Sequence, residues 1–210
     1  MPDTAQLLAF SILSLGMALT PGPNMLYLVS RSLSQGRTAG LISLLGVSLG
    51  YVLYMLCAAF GISALMLAVP YAYETLCFGG MVYLLYLAWQ AIKPGGRSPF
   101  QVKNLPKDSN KKLFIMGLIT NLLNPKIAIM YLSLLPQFIT PNHGSVLTQS
   151  LILGAIQIVT AITINAIIAI MAGSIASFLT GRPAWILVQR WIMGTVLAGL
   201  AVRMMFEARR

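Results

Sequence analysis

Charged residues are spread so unevenly along this chain that the gaps between them outline its architecture. Uncharged or nearly uncharged runs occupy residues 5 to 30, 39 to 69, 73 to 92, 113 to 136, 147 to 180 and 184 to 206. A helix crosses the hydrocarbon of a bilayer in about 20 apolar residues, so each run is long enough to span it. The pattern predicts an all-α integral membrane protein with about six transmembrane helices. A length of 210 residues then leaves room for short loops but for no sizeable soluble domain. Residues 1–210 are therefore expected to form a single membrane domain.

The basic residues orient the spans. Arg31 and Arg37 follow the first run, nothing basic separates the second from the third, and Lys93, Arg97, Lys103, Lys107, Lys111 and Lys112 follow the third. No Lys or Arg lies between 137 and 181. Because Lys and Arg are retained in cytoplasmic loops, this alternation predicts a periplasmic N-terminus, with the 31–38 and 93–112 loops, Arg182 and Arg190 in the cytoplasm. A complete sixth crossing would carry Arg203, Arg209 and Arg210 outside, with only 12 uncharged residues between Arg190 and Arg203. Snorkelling of Arg190 and Arg203 accommodates a span over 184–206, and an interfacial sixth helix is the alternative.

Residues 93–112 combine Pro, Gly and six basic residues, which predicts a poorly structured cytoplasmic linker. It divides the chain into a three-helix half, 1–92, and a second half, 113–210. With three helices before the linker and up to three after it, the halves enter the membrane from opposite sides, the arrangement of an inverted 3+3 repeat.

Two of the six runs are interrupted. The first contains Thr20-Pro21-Gly22-Pro23-Asn24 and the fourth Asn121-Leu122-Leu123-Asn124-Pro125-Lys126. Proline lacks an amide donor and clashes with the carbonyl four residues back, so helices 1 and 4 are expected to be broken. Backbone groups freed in lipid persist only where they face protein or a wet cavity, and transporters bind solutes at such breaks near the midplane. A structural kink is the plainer account of the helix 1 prolines, although two prolines and a glycine within five residues exceed what a bend requires.

Lys126 is the sharpest single residue. About 13 helical residues at 1.5 Å each place it some 20 Å past the start of its span, well inside the hydrocarbon. An ammonium there costs at least about 2.5 to 3.5 kcal/mol. No Asp or Glu lies deep in any span to pair with it, so a substrate carboxylate is the natural partner, helped by the amides of Asn24, Asn121 and Asn124. The alternative is that Lys126 caps carbonyls freed by Pro125. Gln157 and Asn165 are candidates to line the pathway; Thr160, Thr163, Tyr51, Tyr54, Tyr83 and Tyr86 read as interhelical hydrogen bonds or interface anchors.

Small residues recur at helix-packing spacing. Gly36, Gly40, Gly46 and Gly50 include two GxxxG pairs, and Ala169, Gly173 and Ser177 repeat every fourth position. Gly46, Gly50 and Gly173 are the expected points of close helix approach, within one monomer or across a homodimer.

Composition narrows the function classes. The chain is 58% hydrophobic and 9% charged, too apolar for a soluble surface. Its net charge of +10 therefore reads as topology and lipid-headgroup attraction, and no aromatic-interleaved basic region speaks for nucleic acid. Cys57 and Cys77 lie in apolar runs and His143 is the one histidine, so no disulfide framework, metal site or cofactor is expected. The N-terminus lacks a basic region ahead of its apolar stretch and reads as a retained span, not a signal peptide. There is no GxSxG, HExxH or phosphate-cradling loop and no intramembrane acid cluster, so no catalytic residues are expected; selectivity-filter repeats are also missing, which favours a carrier over a channel.

These motifs resemble the LysE/RhtB superfamily of amino-acid exporters, whose members carry TPGPN in the first span and NPK in the fourth. Here they stand at Thr20 to Asn24 and at Asn124 to Lys126. The stretches Arg31 to Gly36, Gly46 to Gly50, Gly79 to Lys93 and Leu132 to Phe138 extend the resemblance over nearly the whole chain. It implies efflux of amino acids or close derivatives across a bacterial inner membrane, driven by the proton motive force, with no ATP-binding domain and no cofactor. Tyr51 departs from the pattern: many relatives carry an acidic residue there. Without a buried carboxylate, the residues favour a neutral or hydroxylated amino acid over a lysine- or arginine-like one. The rival reading is a non-transporting membrane scaffold or sensory subunit in which the broken helices are structural.

Overall fold

The computed structural model describes residues 3–68, 107–140 and 144–179 continuously, with single positions between 78 and 93 and between 184 and 202. Among the described residues every regular element is helical: α1 (Thr4–Leu19), α2 (Pro23–Gln35), α3 (Arg37–Ala68), α4 (Asn110–Leu122), α5 (Pro125–Ile129) and α6 (Val146–Leu179). A π turn (Met130–Leu134) and a 3-10 turn (Leu135–Phe138) continue α5. The expected third and sixth helices, with Tyr83, lie largely outside the described residues, and their described positions are helical.

Local chemistry sets the ends. Asp3 caps α1 through a reciprocal box with Gln6, accepting from its amide at 2.7 Å. Pro21 stops α1, and Pro23 opens α2 at the first helical position, where no donor is missed. The two axes meet at 50°. Asn124 caps α5 and Pro125 opens it, and the same construction bends the second pair by 53°. The π turn ends where Pro136 withholds the amide that the Leu132 carbonyl would take in an α-helix.

Polar side chains are buried within an apolar core, and apolar side chains also cover the outside. Ser14, Asn24, Asn121, Asn124, Lys126, Gln157 and Asn165 are buried, while Leu8, Ile12, Leu15 and Leu19 of α1 and Val159, Ile167, Ile170 and Met171 of α6 are exposed. Exposed apolar stripes around buried polar side chains fit lipid as the solvent. Two unbroken segments, Arg37–Gly61 and Val146–Ile175, are long and apolar enough to cross a bilayer, and each bent pair reaches that length together. The protein is a membrane protein.

Lipid tails are as apolar as leucine, so helices associate through close packing. The tightest contact is α3 on α4. A Cβ at Gly46 would run into the backbone carbonyl of Phe114, and one at Gly117 into that of Ser43, so each glycine admits the other helix's main chain. At Gly50 the neighbour is the Asn121 side chain, 2.6 Å from the position a Cβ would take. Gly173 is exposed and, among the described residues, nothing lies within 4 Å of it; on the same helix Ala169 and Ala172 are the buried small residues. Gly36 also does not pack; it ends α2 with φ +92°, a conformation that favours glycine.

Two expectations about the basic residues change. Arg31 does not sit in a loop, because α2 runs on to Gln35; it is buried and pairs with Asp108 at 2.7 Å. The end of the 93–112 segment is ordered: the Gln35 amide exchanges 3.0 Å hydrogen bonds with both backbone groups of Asp108, Ser109 caps α4, and α4 begins at Asn110. Lys112 also bonds Asp108, and this, ahead of the Arg31 charge, holds the Asp108 carboxyl below the usual carboxylate range.

Candidate functional site

The two breaks meet in the core. Lys126, the second residue of α5, reaches across to the end of α1, where its Nζ donates to the carbonyls of Thr20 at 2.6 Å and Met17 at 3.0 Å. Both acceptors are products of the α1 break. The amide that would reach the Met17 carbonyl belongs to residue 21, a proline, and Thr20 is the cap residue after Leu19, where the backbone is already extended. Lys126 thus caps carbonyls freed by Pro21 in the other half of the chain, not those freed by Pro125. The carbonyl end of α1 is also the negative end of its dipole, a suitable seat for an ammonium.

Gly22 makes this contact possible. A Cβ there would stand 3.1 Å from Lys126 Cε and 3.3 Å from Nζ. Its backbone is extended, so the requirement is for space. Asn124 directs Lys126 by accepting its backbone amide at 3.1 Å.

Beside the Lys126 head lies a small void of about 10 Å³, room for roughly one water. Asn24, Tyr51, Lys126, Gln157 and Asn165 give it polar walls, and Met17, Ala18, Met25, Ile127 and Met130 close it. Asn24 Nδ2 donates to the Tyr51 hydroxyl at 3.5 Å. Asn165 anchors itself on the Ala161 carbonyl at 2.8 Å. Gln157 and Asn165 share the buried stripe of α6 with Leu153, Ala161 and Ala169, whereas Thr163 faces outward.

Asn24 Oδ1 and Gln157 Oε1 are buried without a hydrogen-bond partner. An unmade bond on a buried polar atom costs about 1–3 kcal/mol, so such atoms in a cavity wall mark where water or a polar ligand belongs. Among the described residues no Asp or Glu lines the void, and Lys126 is the one charged group on it, its ammonium held by main-chain carbonyls.

Of the residues expected at the site, Asn24, Lys126, Gln157 and Asn165 are brought together on the void. Pro21, Gly22 and Pro23 shape the α1–α2 break without lining it, Pro23 being exposed. Pro125 opens α5, and its side chain is outside the described residues. Asn121 and Asn124 are fully buried but stand off the void: Asn121 packs against Gly50 with both amide atoms unpaired, and Asn124 is committed to its cap. The Met17 and Thr20 carbonyls were not foreseen, although Pro21 signals the first of them. Tyr131, fully buried in the π turn, stacks its ring on Tyr54 at 5.9 Å with its hydroxyl unpaired, and was not singled out in the sequence.

Comparison with known proteins supplies the wider setting. Residues 15–208 match the family model of the LysE type translocator. The chain is 30% identical over 166 residues to the membrane protein YrhP of Bacillus subtilis, covering 74% of this chain and 78% of that one. It is 28% identical over 173 residues to the homoserine/homoserine lactone efflux protein of Salmonella typhimurium, covering 82% and 83%. A membrane protein of Pseudomonas aeruginosa is 29% identical over 158 residues, covering 71% and 72%. No solved structure matches the chain.

Proposed function

The chain belongs to the LysE type translocator family and is a transporter of small molecules, not an enzyme, and on that footing we propose that it exports neutral or hydroxylated amino acids across a bacterial inner membrane. The observation that carries the reading is Lys126: a buried ammonium on a void with unpaired amides, held by main-chain carbonyls and facing no acid among the described residues. Such a group receives a carboxylate. A second positive charge has no counter-charge there, which disfavours lysine- or arginine-like substrates.

The two bent pairs, Thr4–Leu19 with Pro23–Gln35 and Asn110–Leu122 with Lys126–Phe138, are then single broken spans at equivalent places in an inverted 3+3 repeat, within one membrane domain. The N-terminus is periplasmic and the 93–112 segment cytoplasmic. The void takes roughly one water, so a substrate enters only after the breaks separate. The proton motive force drives the export, with Tyr51 in place of a carboxylate at the wall. The efflux named for the Salmonella relative supports homoserine as the first compound to try.

The test is flux from proteoliposomes loaded with radiolabelled L-homoserine, L-threonine, L-leucine, L-lysine or L-arginine, with and without an imposed proton gradient. Release of neutral species, faster with the gradient, is the expected result. Movement of lysine or arginine alone would refute the substrate class.

A further inference from the structure

We propose that the Lys126 ammonium sits in the seat of the substrate's own α-ammonium, so that binding is an exchange of one for the other. The inference rests on the amino-acid reading above. In the exchange the substrate nitrogen moves onto the carbonyls of Met17 and Thr20, and Lys126 swings off them onto the substrate carboxylate.

Three observations carry it. The first is chemical identity: Lys126 Nζ is a primary ammonium held by two main-chain carbonyls, one of which a proline deprives of its helical donor. Any ammonium arriving in the void needs acceptors of this kind, and among the described residues no carboxylate lines the wall to replace them. The second is space. The void admits roughly one water, and the Lys126 side chain fills the gap over Gly22, with Cδ, Cε and Nζ all within 3.5 Å of where a Cβ would be. A substrate that enters therefore takes space that Lys126 now holds. The third is the charge balance. Before the exchange the carbonyls hold one ammonium; afterwards they hold another, and Lys126 has become half of an ion pair. No buried charge is left bare at either end, which a simple addition beside Lys126 does not achieve, since it sets two ammonium groups side by side.

The exchange makes the resting lysine a tethered competitor. A ligand must bring both head groups to win. An amine without a carboxylate leaves the displaced Lys126 unpaired, and an acid without an amine cannot replace Lys126 on the carbonyls. The seat also demands N–H donors, so full methylation of the substrate nitrogen abolishes binding.

Ligand-induced thermal stabilisation of the purified protein, together with the L-homoserine flux above, tests this. In wild type, L-homoserine should stabilise, while its N,N,N-trimethyl derivative, 3-aminopropanol and 4-hydroxybutanoate each need at least about tenfold more ligand for the same shift. In Lys126→Met, 3-aminopropanol should act at about tenfold lower concentration than in wild type, because the seat is vacant. A structure of the wild-type protein with L-homoserine should place the ligand nitrogen about 3 Å from both carbonyls and Lys126 Nζ on the carboxylate. If Lys126 Nζ stays on Met17 and Thr20 in that complex, or the trimethyl derivative binds as well as its parent, the exchange is overturned while export stands. These wild-type arms decide even if Lys126→Met does not fold. Absence of flux and stabilisation by any amino acid overturns the transport reading and the exchange with it.

Discussion

Replacing Lys126 by Met separates the fold from the function. The side chain keeps much of its length and bulk, so little cavity opens. What is lost is a pair of hydrogen bonds, 2.6 and 3.0 Å long, from an ammonium to main-chain carbonyls. Bonds of this charged kind contribute about 1.5–3 kcal/mol each, or about 3–6 together. Against this stands the relief of not burying an ammonium, about 2.5–3.5 kcal/mol. The relief offsets much of the loss, and the net loss of stability is at most about 3.5 kcal/mol. Transport has no such compensation. A substrate carboxylate brought beside the missing ammonium is an unpaired buried charge, which costs about 3–5 kcal/mol and slows flux about a hundredfold or more. The assay is homoserine efflux from proteoliposomes at matched protein content, with thermal unfolding in detergent as the control for folding. A folded Lys126→Met protein that transports within about threefold of wild type would show that the lysine only pins the broken helix, and would refute the carboxylate role.

The packing predictions pair opposites. Gly46→Ala forces a methyl against the Phe114 carbonyl, which as backbone cannot rotate away, and should lower stability by about 1–3 kcal/mol or more in detergent unfolding. Gly173→Ala meets nothing within 4 Å among the described residues and should stay within about 0.5 kcal/mol of wild type; a large effect there would instead point to a contact with a second copy or with residues outside the described ones. Asn24→Ala should cut homoserine flux while lowering the unfolding temperature only slightly, since the one bond lost is the long 3.5 Å contact from Nδ2 to Tyr51 and Oδ1 has no partner to lose. The Asp108 carboxyl is depressed in the folded protein, so its contribution is full above the ordinary value of 3.8 and is lost as pH falls through the lower folded value. Unfolding temperature should therefore drop on acidification below that range, and Asp108→Asn should flatten the drop; an unchanged pH profile would refute it.

The pattern of charges and prolines along the chain was sufficient for the class and much of the plan. Long uncharged runs dictate helices in lipid because no other element satisfies its backbone there, and α3 and α6 appear within two residues of the expected limits. The breaks after Thr20 and Asn124 were legible because proline acts on its own chain through a missing donor. Lys126 was legible as a buried charge because depth follows from helical rise alone.

What tertiary structure decided is who answers whom. Sequence gave no way to see that Lys126 caps Met17 and Thr20, more than a hundred residues away, since the partner of a freed carbonyl is set by how two breaks come together. Arg31 read as a loop cation because charge patterning registers sign and position, while its partner Asp108 lies far along the chain in the 93–112 segment. The two GxxxG pairs and the small-residue stripe of α6 looked alike in sequence, yet Gly46 and Gly50 face α4, Gly36 ends a helix and Gly173 faces outward. Spacing fixes which residues share a helix face; only the placement of the neighbouring helix fixes whether that face meets protein or lipid.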